Sequence, residues 1–77
     1  MPHARYAIIA HGDQWMINID GKNYGPYATQ SAATRDAIDT AQKAGKGGFD
    51  AQVLIQEADG RFATRWTYGK DAYPPAG

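Results

Sequence analysis

Metal-ligand side chains come close together once in this sequence, at His3, His11 and Asp13. A structural or catalytic metal needs three or four converging donors. His11 and Asp13 sit in a tight His11-Gly12-Asp13 turn without an evident third partner. A polar turn is the simpler reading, with His3 in a frayed end. Ser31, His11 and Asp13 supply the residue types of a hydrolytic triad. Ser31, however, falls in the first turn of a helix, where capping explains it, and no glycine-flanked nucleophile elbow surrounds it. Acid–base work by paired carboxylates requires one of them in an apolar pocket, and Asp36, Asp39, Glu57 and Asp59 all lie on solvated stretches. Gly45-Lys46-Gly47-Gly48 has the composition of a phosphate loop. It follows a helix instead of opening one, so no free N–H groups are aimed at a phosphate. Neither an enzyme activity nor a cofactor or metal is expected.

The elements that position these residues must form on packing alone. At 77 residues the chain is one domain, residues 1–77, and has no cysteine. A chain of this length buries only about 60% of its unfolded surface, and neither a disulfide nor thiolate-bound zinc can reinforce it. Eight basic and eight acidic residues cancel, so bulk charge draws the protein neither to nucleic acid nor to an anionic membrane. The apolar run Ala7 to Ala10 is far short of the ~20 residues needed to cross a bilayer. The stretch from Met1 to Arg5 lacks the apolar region of a secretory leader, which favours the cytoplasm.

Arg5 to Ala10 and Gln14 to Ile19 alternate as strands and form a hairpin around His11-Gly12-Asp13. Trp15, Ile17 and Ile19 share one face of the second strand. Asp20-Gly21 breaks that strand, and Lys22 to Ala28 reads as a loop, because Pro26 has no N–H and permits at most an edge extension. Gln30 to Ala44 is free of proline and glycine, with Thr29 or Ser31 as cap. Ala33, Ala37, Ile38, Ala41 and Ala44 form its apolar stripe. Arg35, Asp39 and Lys43 fall four apart on the wet side, and Gly45 is the expected stop. Phe49 to Gln56 and Arg61 to Thr67 make a second hairpin around Asp59-Gly60. The predicted fold is α+β, ββαββ, with a four-stranded antiparallel sheet in the order 2-1-3-4 and the helix on one face. Trp15, Ile17, Val53, Ile55, Phe62 and Trp66 are expected beneath the helix. The opposite face then shows Gln14, Met16, Asn18, Gln52, Leu54 and Gln56, together with Arg61, Arg65 and Thr67.

Residues 68 to 77 form an extended C-terminal segment, too aromatic for a discarded tail and too rich in proline and glycine for a strand. Tyr68 and Tyr73 each have a ring to bury and a hydroxyl to keep wet, so residues 68 to 75 are expected to pack back on the domain. Tyr68, Gly69, Asp71, Tyr73, Pro74 and Pro75 close the chain after Asp59-Gly60-Arg61. Gly12 and Trp15 mark its first hairpin, and Thr29 through Ala41 its alanine-rich helix. On these residues the sequence resembles the small bacterial domain-of-unknown-function family 2188. The resemblance covers nearly the whole chain, with the last block as its most specific part. It implies an architecture and carries no catalytic residue.

A small domain with one helix leaves a sheet face and edge strands unpaired. The expected function is therefore a non-enzymatic interaction module, self-associating as a homodimer through the open face or an edge, with an unidentified protein as a further partner. Arg61, Arg65, Tyr68, Lys70 and Tyr73 are the candidate interaction residues. The alternative is a small nucleic-acid-binding protein using the basic residues of the open face.

Overall fold

In the computed structural model, which describes residues 2–75, β1 (His3–His11) and β2 (Gln14–Ile19) pair as an antiparallel hairpin. Met1, Ala76 and Gly77 lie outside the described residues, the last two being the end of the expected C-terminal segment. The chain then adds β3 (Lys22–Tyr27), antiparallel to β2. This strand replaces the expected loop. Asp20 and Gly21 both adopt positive φ, 51° and 81°, and join Ile19 to its partner Lys22 as a two-residue turn whose twist matches the strands it connects. Pro26 is tolerated because β3 is an edge strand and its register shifts between the Trp15 and Ile17 pairings.

α1 (Gln30–Lys46) follows, with the Thr29 side-chain oxygen accepting from the Ala32 N–H at 3.1 Å. Behind it come β4 (Asp50–Gln56) and β5 (Phe62–Thr67), giving one mixed sheet in the order β3-β2-β1-β4-β5. The expected adjacency of the second, first, third and fourth predicted strands is present. Four antiparallel strands are not. β1 and β4 run parallel, from His3 opposite Asp50 to Ile8 opposite Ile55. The added strand causes the difference. With β3 in place the chain enters α1 having run in the direction of β1, and a helix that returns it delivers β4 in that same direction.

The core lies between α1 and one sheet face. Tyr6, Ile8, Ile17, Ala51, Val53 and Trp66 are buried there against Ala33, Ala37, Ile38 and Ala41. Small helix residues bring the helix close to the sheet, and Ile8, Val53 and Trp66 supply the large fully buried groups. Trp15 is on this face as expected but is only half-buried, at the margin of the core. His3 is not frayed: it belongs to β1, and its Nδ1 stands 3.2 Å from Asp50 Oδ2 across the parallel pair.

Gly45 does not end the helix, which runs on to Lys46 with Gly47 as its cap. Gly45 is buried, and a Cβ placed there would overlap the ring of Tyr68. The glycine is a seat for an aromatic side chain, and the stop falls two residues later. The expected Arg35–Asp39 and Asp39–Lys43 ion pairs do not form among the described residues; Asp39 instead accepts from the Tyr73 hydroxyl at 2.7 Å.

Candidate functional site

The two faces of the sheet differ in what covers them. Because alternate residues of a strand point to opposite faces, burying Tyr6 and Ile8 under α1 turns Arg5, Ala7 and Ile9 the other way. The register then builds the uncovered face row by row. Arg5, Gln52 and Thr67 lie across from one another. Asn18, Ala7, Leu54 and Thr64 form the next row. Met16 pairs with Ile9, and Gln56 with Phe62, in the last. The result is an apolar patch of Met16, Ile9, Ala7, Leu54 and Phe62 across two adjacent rows, framed by amides, threonines and Arg5. Asn18 and Asn23 tie β2 to β3 through an Nδ2–H donated to Oδ1 at 2.8 Å.

Phe62 was expected beneath the helix and is instead 49% exposed. Arg65 was expected on the open face and instead lines grooves on the helix side. One irregularity explains both corrections. Val53 pairs with Trp66 but Leu54 pairs with Thr64, so Arg65 is an extra residue in β5. A bulge of this kind exchanges the faces of every residue before it. Simple alternation through Arg61–Thr67 gives no hint of the inserted residue. A signal for Ile9 did exist: both faces of the first strand are apolar, as expected of a strand in the middle of a sheet.

The helix side carries a second feature. A helix is about 10–12 Å across and strands lie about 4.8 Å apart, so one helix cannot span five strands. α1 packs on β4, β1, β2 and β3. Its space beside β5 is partly filled by the chain after β5. The Tyr68 N–H donates to the Ala51 carbonyl at 3.0 Å, and the Tyr68 ring rests on Gly45. The Trp66 indole Nε1–H donates to the Ala72 carbonyl at 3.0 Å, and the Tyr73 ring stands edge-on to the indole at 6.3 Å. Asp71 accepts from the Thr67 N–H at 2.8 Å and closes the intervening turn.

Of the five candidate interaction residues, Tyr68 is therefore a core-packing group and Tyr73 an anchor on α1. Lys70 is exposed in the turn after β5, and Arg61 is exposed in the β4–β5 turn with Asp59 at 3.8 Å. Arg65 stands apart from both on the helix side. The structure does not bring these five together into one surface. His3 and His11 occupy opposite ends of a nine-residue strand, roughly 26 Å apart at the usual rise, and cannot share a metal ion.

Two tyrosine hydroxyls clamp α1 from its two flanks, Tyr27 onto Asp36 at 2.5 Å and Tyr73 onto Asp39. In each case the hydrogen bond to the carboxylate is the main reason the tyrosine pKa is raised above its ordinary value. Tyr6 is raised as well, chiefly by burial.

The model of one bacterial protein family, described as "Uncharacterized protein conserved in bacteria (DUF2188)", matches residues 6–68. The chain belongs to this family. No curated protein and no solved structure matches it. The family match runs from the first buried residue of β1 to the tyrosine seated on Gly45, and so takes in most of β1, the other four strands, the helix and the three hairpin turns. Of the block Tyr68 to Pro75, where the resemblance is most specific, it includes Tyr68 and stops short of Gly69 to Pro75. In this chain the strap over Trp66 lies beyond the family region. Among the described residues no helix is long and apolar enough to cross a membrane, and no three His, Cys, Asp or Glu side chains group as metal ligands.

Proposed function

We propose that this family member is a non-enzymatic, cytoplasmic interaction module that self-associates through its uncovered sheet face. The observation that supports this reading is the apolar patch of Met16, Ile9, Ala7, Leu54 and Phe62, which no element among the described residues covers. A second copy related by a two-fold axis offers the same patch in return, the usual solution for homodimers. The edges are poorer candidates. β3 carries Pro26 and a register shift, and β5 carries the Arg65 bulge. Irregularities of this kind turn edge strands away from pairing.

Sedimentation at increasing protein concentration tests the reading. The wild type should run at twice the monomer mass, and Phe62→Glu, which buries a charge in the contact, should run as a monomer with unchanged secondary structure. A wild type that stays monomeric at millimolar concentration removes the proposal.

Binding to a single strand of nucleic acid is the second reading. It is favoured by one observation: the bulge sets Phe62 exposed on the same face as Arg5, a stacking aromatic together with a cation. Affinity for a single-stranded oligonucleotide would then fall with salt, with a slope of about −0.7 per phosphate contacted. An absence of binding at low salt ends this reading.

A further inference from the structure

The chain has two Asp-Gly pairs, Asp20-Gly21 and Asp59-Gly60, and each stands in a hairpin turn between neighbouring strands. An aspartate followed by glycine closes readily to a succinimide, because glycine has no side chain to shield its amide nitrogen. The fold treats the two pairs differently. At Asp59 both reacting groups are engaged. The Gly60 N–H donates to the Glu57 carbonyl at 2.9 Å. The Asp59 carboxylate accepts from the Arg61 N–H at 3.0 Å and has the Arg61 guanidinium at 3.8 Å. At Asp20, among the described residues, the carboxylate has no hydrogen bond or ion pair and the Gly21 N–H donates to no carbonyl. Both residues are exposed. Asp20 is also the one non-glycine residue described with a positive φ, 51°, a region that an L side chain adopts at a cost.

We propose that Asp20 is a site of spontaneous modification, isomerising to isoaspartate, and that the change detaches the edge strand β3. The Gly21 amide nitrogen forms a bond to Asp20 Cγ, and its proton leaves with the carboxyl hydroxyl as water. Water then adds to one carbonyl of the five-membered ring. Opening at the Asp20 main-chain carbonyl breaks its bond to the Gly21 nitrogen, so the chain now runs through Cβ and Cγ and the main-chain carboxylate is freed. The water lost is regained, and no oxidant or reductant takes part. Attack requires the carboxyl to swing onto the amide nitrogen, which the contacts at Asp59 resist and Asp20 lacks. The product has one more backbone carbon in a two-residue connection between Ile19 and its partner Lys22. The next pair, Asn18 and Asn23 with their side-chain hydrogen bond, shifts with it. Register in a hairpin is fixed by its turn, so lengthening the turn costs the pairing of the strand that follows. The inference does not depend on self-association through the sheet face.

The test ages the full chain at neutral pH and physiological temperature, then maps its peptides by electron-transfer fragmentation, which tells isoaspartate from aspartate at each position. Isoaspartate should build up several-fold faster at residue 20 than at residue 59. In guanidinium chloride, where only the local sequence acts, the two rates should come together. The proposal is overturned if residue 59 keeps pace with residue 20 in the folded chain, or if the folded chain's ratio persists in denaturant. Hydrogen exchange of the aged chain tests the consequence: amides of β3 should lose protection while those of β1 and β4 keep theirs. A chain that has isoaspartate at residue 20 and a protected β3 overturns the detachment. Asp20→Glu, which would have to close a less favourable six-membered ring, should stay unmodified at residue 20 and keep β3 protected on ageing. Equal loss of protection in that variant overturns the link between the modification and β3.

Discussion

The two faces of this sheet carry comparable apolar side chains and meet different fates. Beneath α1 the residues interlock with alanines and a glycine, and the largest group, Trp66, is 2% exposed. On the far side Ile9, Met16 and Leu54 are only partly covered and Phe62 stands half-exposed. Composition separates the faces in part, since Arg5, Asn18, Gln52, Thr64 and Thr67 share the open face with its apolar residues. The helix adds to this by presenting a stripe with little bulk, so the sheet's large residues fill the space on that side only. Removing a side chain should therefore cost far more on one face than on the other.

Trp66→Ala breaks the covered face and should have the largest effect, about 3–5 kcal/mol, as for other emptied aromatic sites. A domain of this size has on the order of 5–10 kcal/mol in total, so urea denaturation should find the variant close to unfolded. Trp15→Ala, at the margin of the core, should cost about 2 kcal/mol, short of the full range for a buried tryptophan. Equal losses for the two would mean that the core extends further toward β3 than its burial indicates.

Gly45→Ala sharpens the comparison because its sign opposes helix propensity. An alanine in place of glycine within a helix normally stabilises by about 1 kcal/mol. Here the added methyl group meets the Tyr68 ring, and overpacking of this kind costs about 1–3 kcal/mol. Thermal melts should show a net loss. A gain would mean that Tyr68 moves aside freely.

A smaller effect should appear at high pH. Tyr27 and Tyr73 have folded-state pKa values raised above the unfolded value by their hydrogen bonds to Asp36 and Asp39. Their contribution to stability is therefore complete below the ordinary tyrosine pKa of about 10 and is lost as pH rises through the raised folded values. Melts as a function of pH should stay level up to about pH 10 and fall beyond it. The double variant Tyr27→Phe, Tyr73→Phe should flatten that fall. The smallest effect on folding belongs to the open face: Phe62→Ala, measured in dilute solution, should lie within about 1 kcal/mol of wild type.

Much of this architecture was legible in the sequence. The helix stripe of Ala33, Ala37, Ile38 and Ala41, the Thr29 cap, both hairpins and the return of residues 68–75 follow from periodicity, capping and the amphipathic tyrosines. The third strand was hidden by a local conflict. Asp20-Gly21 is a strong hairpin signal, but Pro26 five residues later argued against a strand, and the edge position that reconciles the two is a property of the whole sheet. The parallel β1–β4 pair was lost with it, since strand direction follows from counting the strands before the helix. Gly45 was misread because stop and seat are the same residue type, and only Tyr68, far along the chain, distinguishes them. Of the candidate site, the presence of an open face was readable. Its membership was not, because a single inserted residue, Arg65, exchanges Phe62 with the residues expected there.

The parallel pair at the centre of the sheet also governs the order in which the molecule can assemble. β1 and β4 are separated along the chain by β2, β3 and α1, yet they lie side by side from His3–Asp50 to Ile8–Ile55. The first three strands can meander locally and α1 can wind early. Tyr6 and Ile8, however, have no neighbour on their β4 side until Val53 and Ile55 have been made. Joining segments so far apart in sequence carries a loop-closure cost that local hairpins avoid, and it slows folding. On the ribosome this protein would emerge as a helix and a half-built sheet, and it would commit to its fold only as β4 and β5 leave the exit tunnel.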